Sequence, residues 1–478
     1  MDKSRLGRPC AVLLAIAIAL SAPAAMAAEL DGARLGFAWA IPFIGVLLSI
    51  AILPLAAPQL WHHHFGKITA AWSLAFVLPY AAMDGLGATA AQLVHVLVGE
   101  YVPFIILIGS LFVIAGGVYL RGNLHGSPAT NTVLLAAGTG IASITGTTGA
   151  AMLLVRAVIR ANDDRVHNAH VMVFFIFLVA NVGGSLTPLG DPPLFLGFLK
   201  GVDFFWPTVH LLAPMLMVSA ILLAAFYAID SHFYRRDAAF QAKRDPTPDT
   251  PKGLSVEGGV NVWLLLGVMV AVLVSGIWKP GISWNLLGTE VPLQGILRDI
   301  VLVGLAWASL RLTPASCREA NAFTWGPILE VAKLFAGIFV TIVPVIAMLK
   351  AGDKGAFSGL VQLASRPDGS PDNVAYFWLA GGLSSFLDNA PTYLVFFNMA
   401  GGDPATLMGP LAATLAAISA GAVFMGANTY IGNGPNFMVK AIAEEAKYEM
   451  PSFFGYAGRA VLALSPIYAV IAAYLWLR

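Results

Sequence analysis

Residues 180–193 read Ala180-Asn-Val-Gly-Gly-Ser-Leu-Thr-Pro-Leu-Gly-Asp-Pro-Pro193, in the middle of a long apolar run over 171–199. Glycine and proline at that density end a helix and free amides and carbonyls that lipid cannot satisfy. A constant offset, 429 − 187 = 242, lays the stretch over a second interrupted apolar run at 405–440. The same shift pairs Ala180 with Ala422, Gly184 with Gly426, Gly190 with Gly432, Pro193 with Pro435 and Phe195 with Phe437. Upstream it pairs Asn131 with Asn373, Gly140 with Gly382 and Ser143 with Ser385. Gly and Ala matches mean little in a chain this rich in both, but ungapped Asn, Ser, Thr, Pro and Phe matches indicate an internal repeat. Each copy has two parts: an apolar segment with polar turn residues at its centre (131–160, 373–400), and an interrupted run (171–199, 405–440). The first part of each reads as a re-entrant helical hairpin and the second as a broken transmembrane helix.

The rest of the chain agrees with a membrane setting. Of 478 residues, 58% are hydrophobic and 11% charged, where a soluble protein carries roughly a quarter charged residues. Further apolar runs lie at 36–57, 68–83, 102–120, 205–229, 260–278, 296–312, 327–349 and 457–476, each near the length that spans a bilayer. The expected fold is therefore an all-α polytopic membrane protein. Lys3, Arg5 and Arg8 precede an apolar stretch and Ala25-Met-Ala27, so residues 1–27 read as a signal peptide. Residues 28–229 then form a first half, 230–259 a cytoplasmic loop and 260–478 a second half. That loop carries Arg235, Arg236, Lys243, Arg244 and Lys252, which assigns it to the inside. The stretch 84–100 has no Lys or Arg and falls outside, with Asp84, His95 and Glu100 read as a water-facing rim. Five spans separate the two hairpins. An odd number makes the repeats inverted in topology, so that one site can face either side in turn.

Four polar clusters mark that site. The hairpin tips are Ser143-Ile-Thr145-Gly-Thr147-Thr148 and Ser384-Ser385-Phe-Leu-Asp388-Asn389-Ala-Pro391-Thr392. The breaks contribute Thr187 and Asp191 from the first repeat, and Asn428, Thr429 and Asn433 from the second. Freed carbonyls with Ser, Thr and Asn oxygens can replace the hydration shell of a small hard cation, whereas inward helix N-termini suit an anion. Asp191 and Asp388 are the acids inside the clusters, and intramembrane acids are costly and usually functional. A carboxylate held away from water can exchange a proton for a cation. Each Asp can instead cap a half-helix, the structural alternative. No Lys or Arg lies at either tip or break to clamp a substrate carboxylate. The proposed ion and substrate residues are therefore Asp388, Asn389, Asp191, Ser143, Thr145, Thr147, Thr187, Ser385, Thr392, Asn428, Thr429 and Asn433, with Asp388 and Asn389 as Na⁺ ligands; Asp388 is expected to alternate between proton and cation, and Asp191 to supply a second charge.

Other features read as ordinary. His62, His63 and His64 beside Lys67 read as a solvated cytoplasmic loop, and Arg156 and Arg160 as inside-facing anchors. Net charge +1 gives no field for nucleic acid, and two cysteines, Cys10 and Cys317, give no disulfide framework. No His-Glu-x-x-His and no phosphate-cradling Gly-x-x-x-x-Gly-Lys-Ser/Thr occurs, so neither an enzyme nor an ATP-driven pump is expected. No cofactor is expected beyond Na⁺ and H⁺ as transported or coupling ions.

At these residues the chain resembles the ion transporter superfamily, in the branch described both as citrate transporters and as sodium:proton antiporters. The resemblance rests on Trp61-His-His-His-Phe-Gly-Lys67, Gly146-Thr-Thr-Gly-Ala150 and Val171 to Asp203. Asp388-Asn389-Ala390-Pro391 is similar to the Asp-Asn-x-Pro signature of NhaD-type sodium/proton antiporters, which implies ion-site roles for Asp388 and Asn389. The dicarboxylate branch carries Ser-Asn-Thr at both tips. Ser143-Ile144-Thr145 and Ser385-Phe386-Leu387 depart from that pattern. The resemblance implies a dimer, with a moving transport domain (131–200 and 373–447) and a static scaffold in each protomer. Na⁺/H⁺ exchange across the inner membrane is the expected activity, and cation-coupled import of citrate or another carboxylate the alternative.

Overall fold

The computed structural model describes residues 30–122, 124–241, 255–286 and 288–476. The signal-peptide reading, Lys243, Arg244 and Lys252 lie outside those residues. Helices account for nearly all of the rest. In chain order they are α1 (Ile41–Ala56), α2 (Pro58–Val96), α3 (Val102–Ala115), α4 (Pro128–Thr145), α5 (Thr147–Ala161), α6 (Ala169–Leu178), α7 (Pro192–Leu199) and α8 (Trp206–Gln241). The second half contains α9 (Val260–Ile277), α10 (Leu293–Leu312), α11 (Ala315–Ala320), α12 (Gly326–Thr341), α13 (Val343–Lys350) and α14 (Ser358–Leu363). It continues with α15 (Asn373–Phe386), α16 (Asn389–Met399), α17 (Pro404–Met408), α18 (Ala412–Met425), α19 (Gly434–Glu445) and α20 (Phe453–Trp476). Two small antiparallel ribbons sit between them: β1 (Tyr119–Arg121) with β2 (Ser255–Glu257), and β3 (Ser283–Leu286) with β4 (Thr289–Pro292).

Among the described residues seven helices are long and apolar enough to cross a bilayer, or eight if α12 and α13, bent by 41°, make one span. This is a multi-pass membrane protein. Large apolar side chains such as Trp263, Ile277, Ile300, Val303 and Trp307 are exposed, where lipid would cover them.

Several boundaries differ from the sequence reading. The span expected at 68–83 begins at Pro58, so His62, His63 and His64 are helical rather than in a loop. Residues 84–100 are helical too: α2 breaks its geometry at Gly85 (φ +85), resumes to Val96, and passes through a π-helical turn, Leu97–Tyr101, into α3. Only glycine takes that φ at low cost, which makes Gly85 the corner of an otherwise continuous apolar segment. The loop expected from 230 begins later, because α8 runs on to Gln241.

The helices pack as two groups. In one, α1, α2, α3, α9, α10 and α12 lie against each other; in the other, α4 to α8 pack with α15, α16, α18, α19 and α20. The groups meet where α3 touches α5 and α7, where α9 touches α4, and where α13 touches α16. The second group is bolted at one end by a buried charge cluster. Arg165, 3% exposed, reaches Asp230 at 2.6 Å and Asp237 at 3.7 Å on α8. His170 and His167 approach the same two carboxylates at 2.7 and 2.6 Å, and Asn131 at the start of α4 donates to Asp230 at 3.0 Å.

Candidate ion site

The site forms where helices are interrupted. Thr147 is the first residue of α5, Asn389 the first of α16, and Asp191 and Asn433 stand immediately before α7 and α19. All four meet at the Asp191 carboxylate, which is 1% exposed. Thr147 Oγ1 donates to Oδ1 at 3.1 Å, Asn433 Nδ2 to Oδ1 at 3.0 Å and Asn389 Nδ2 to Oδ2 at 2.5 Å. The donors come from both halves of the chain. Helix N-termini carry partial positive charge and favour an anion; here the anion at their meeting point is the protein's own.

Local sequence explains the arrangement. Gly146 ends α4 and starts α5 with φ +78, a conformation open to glycine, and so turns the chain at Thr147. Gly190 and Gly432 lie so close to the carbonyls of Gly184 and Gly426 that a Cβ at either place would strike backbone. Each break is thereby folded tightly on itself, and both close contacts recur at the offset of 242.

Asp191 and Asp388 divide the two roles open to an acid here. Asp191 occupies the capping position of α7 but makes no capping bond with its side chain. Asp388 does cap: its Oδ1 accepts from the Ala390 amide at 3.0 Å at the start of α16, and the residue is half-buried. Among the described residues no basic side chain forms an ion pair with either acid. Asn389 Oδ1 is buried and has no hydrogen-bond partner, a costly state for an amide oxygen.

The remaining candidates do different work. Ser143 Oγ donates to the Gly183 carbonyl at 2.5 Å and Thr187 Oγ1 to the Ser143 carbonyl, tying the first tip to the first break. Ser385 Oγ reaches the Met425 carbonyl at 3.2 Å and Thr429 Oγ1 the Ser385 carbonyl at 2.5 Å, the same two bonds displaced by 242 residues. Asn428 Nδ2 adds a bond to Ser385 Oγ at 2.8 Å. Thr145 and Thr392 bond back to their own helices, at Ile141 and Asp388 carbonyls, and are not joined to Asp191. Among the described residues no three His, Cys, Asp or Glu side chains gather as a metal site, His62, His63 and His64 included.

Two asparagines outside the proposed ion and substrate residues join the site, Asn436 from the second break and Asn181 from the first. Asn181 Nδ2 donates to Asn436 Oδ1 at 2.7 Å, and Asn433 Nδ2 lies 3.3 Å from Asn181 Oδ1. Asn436 Nδ2 in turn reaches the Gly426 and Thr429 carbonyls at 2.8 and 2.9 Å. This amide chain links the first break to the second and holds Asn433 against Asp191. The available signal was a fully buried polar residue in an apolar run, which needs a partner.

A family model described as "Putative citrate transport" matches residues 32–477. An uncharacterized transporter of Mycobacterium bovis and one of Mycobacterium tuberculosis are each 24% identical to the chain over 372 residues, covering 76% of this chain and 80% of the relative.

Proposed function

Because the chain belongs to the putative citrate transport family, we propose that it is a secondary active transporter of the inner membrane that exchanges Na⁺ for H⁺ by alternating access. The observation that carries this reading is Asp191: one buried carboxylate, held by donors from both halves, with no basic partner among the described residues. Four helix starts favour negative charge at that point, and Asp191 supplies it internally. The exchangeable species that complements it is positive, either a proton on the carboxylate or a cation beside it. An arriving Na⁺ takes the Asp191 oxygens, Asn389 Oδ1 and the Thr147 hydroxyl, and the proton leaves to water on the open side. Asp388, one residue before Asn389, contributes the second negative charge. The paired bonds at 143/187 and 385/429 support two repeats of inverted topology. In them α4–α5 and α15–α16 act as the re-entrant hairpins, and α6–α7 and α18–α19 as the broken helices.

The family's description favours a second reading, cation-coupled uptake of citrate or a similar carboxylate. The test uses everted vesicles from an antiporter-deficient host, energised to an acid interior and read with a pH-sensitive dye. Na⁺ should collapse the gradient in the wild type and fail to do so with Asp191→Asn or Asp388→Asn, both inserted normally. A wild-type carrier silent to Na⁺, Li⁺ and K⁺ that still takes up labelled citrate would replace the first reading with the second.

A further inference from the structure

We propose that the ion pair between Glu100 and Lys200 is the outer gate of this transporter, and that α7 is the rod connecting it to Asp191. The inference rests on the transport reading above but not on which ion is carried. Glu100, expected at a water-facing rim, is 9% exposed and sits on the π-helical turn between α2 and α3. Such turns are rare and concentrate at functional positions. Lys200 follows directly on α7, and its Nζ meets Glu100 Oε1. Arg121–Glu257, by contrast, closes the β1–β2 ribbon, and Arg156–Glu445 stays within the second group. Glu100–Lys200 joins the two groups.

Its surroundings give the pair its role. Two cavities, about 980 and 920 Å³, are both lined by His95, Glu100 and Lys200. One continues toward Arg298 and β4, the other toward α13 and Asn398. The salt bridge is the wall they share, on the side that the Lys and Arg distribution assigns to the periplasm. Parting it merges the cavities and hydrates both charges.

α7 couples this wall to the ion site. Asp191 stands at its start and Lys200 just past its end, so the helix spans about 12 Å at 1.5 Å per residue. Midway, the Arg298 guanidinium of α10 lies 5.7 Å from the Phe195 ring centre. At the far end Gly201 (φ +106) closes the helix. An eight-residue helix held at three points moves as a unit. A shift at Asp191 when proton replaces cation therefore reaches Lys200 without loss.

The experiment replaces Glu100 and Lys200 with cysteine in a Cys10→Ser, Cys317→Ser background and joins them with a short, reducible bis-thiol cross-linker in proteoliposomes. Cross-linking should reduce transport to background and reduction should restore it, whether transport is read with Na⁺ and dye or with labelled citrate. Cross-linked carrier working at the uncross-linked rate overturns the gate. A carrier that moves neither substrate would overturn the functional reading. The gate is then judged by cross-linking yield alone. Adding Asp191→Asn should change that yield ~3-fold or more if α7 couples the two sites, and an unchanged yield overturns the proposal. The charge exchange Glu100→Lys with Lys200→Glu provides an independent check. Each single neutral substitution should lower transport ~10-fold and the exchange recover most of it; single substitutions at full rate would also overturn the gate.

Discussion

The two breaks occupy equivalent places in the chain, yet one carries an acid and the other an amide. Asp191 and Asn433 are related by the offset of 242, as are Thr187 and Thr429, and the glycine folds at 190 and 432 match as well. At the tips the relation is reversed: Gly146 in the first copy corresponds to Asp388 in the second. Each copy thus has one acid, at the break in the first and at the tip in the second. An acid at 433 would sit directly against the Asp191 carboxylate, where Asn433 Nδ2 now lies at 3.0 Å, and like charges in contact in a buried site are expensive. The glycine folds and Ser–Thr bonds of the two breaks match while the charge does not, so equivalent breaks surround an asymmetric site.

Moving the charge tests that asymmetry most severely. Asp191→Asn should lower exchange by about 100-fold, since it removes the anion that three donors hold. Adding Asn433→Asp restores an acid at the equivalent position. Recovery in vesicle assays would show that the site needs a charge in either half, and no recovery that the shell around Asp191 is specific. A smaller effect is expected at the tips. Asn389→Ala removes the 2.5 Å donor to Asp191, and a hydrogen bond to a charged group is worth about 1.5–3 kcal/mol. The half-saturating Na⁺ concentration should therefore move ~10-fold, and Thr147→Ala, which loses a longer bond at the other tip, should move it less. The smallest effects concern folding. Gly146→Ala imposes a positive φ on a residue with a Cβ and should cost about 1–2 kcal/mol. Asp388→Ala keeps an ordinary φ of −58 but loses a cap, costing about 1 kcal/mol. Thermal unfolding in detergent should rank them in that order, and the reverse ranking would show that the cap at Asp388 is worth more than the positive φ at Gly146 costs a residue with a Cβ.

The sequence made much of this architecture legible because its strongest signals are chemical. Gly and Pro inside apolar runs located the interruptions at 180–193 and 426–435, and the Ser, Thr and Asn matches located the tips. Four of the proposed residues, Asp191, Thr147, Asn389 and Asn433, do come together. The sequence reading gave the exchanging role to Asp388 and a second charge to Asp191, but a residue at a helix start can cap or can face inward, and sequence does not tell which. The structure has Asp388 capping α16 and Asp191 accepting from three side chains. Asn181 was passed over because an amide inside an apolar run looks incidental until its partner, Asn436, is seen 255 residues away. The helical course of 84–100 was missed for a related reason. Lack of Lys and Arg reports sidedness, not conformation.

The buried charge cluster at Arg165 has a consequence for how the chain is made. Asp230 lies 230 − 165 = 65 residues further along. At synthesis rates of about 5–20 residues per second, Arg165 leaves the ribosome ~3–13 s before its carboxylate partner exists. During that interval α6 and α7 are already available for insertion while the guanidinium has only its chain neighbours Asp163 and Asp164 to offset it. It must wait at the aqueous face until α8 arrives with Asp230 and Asp237. Closure of that cluster is therefore a late event in biogenesis, and a truncation before residue 230 would leave α4–α7 without the lock that fixes them.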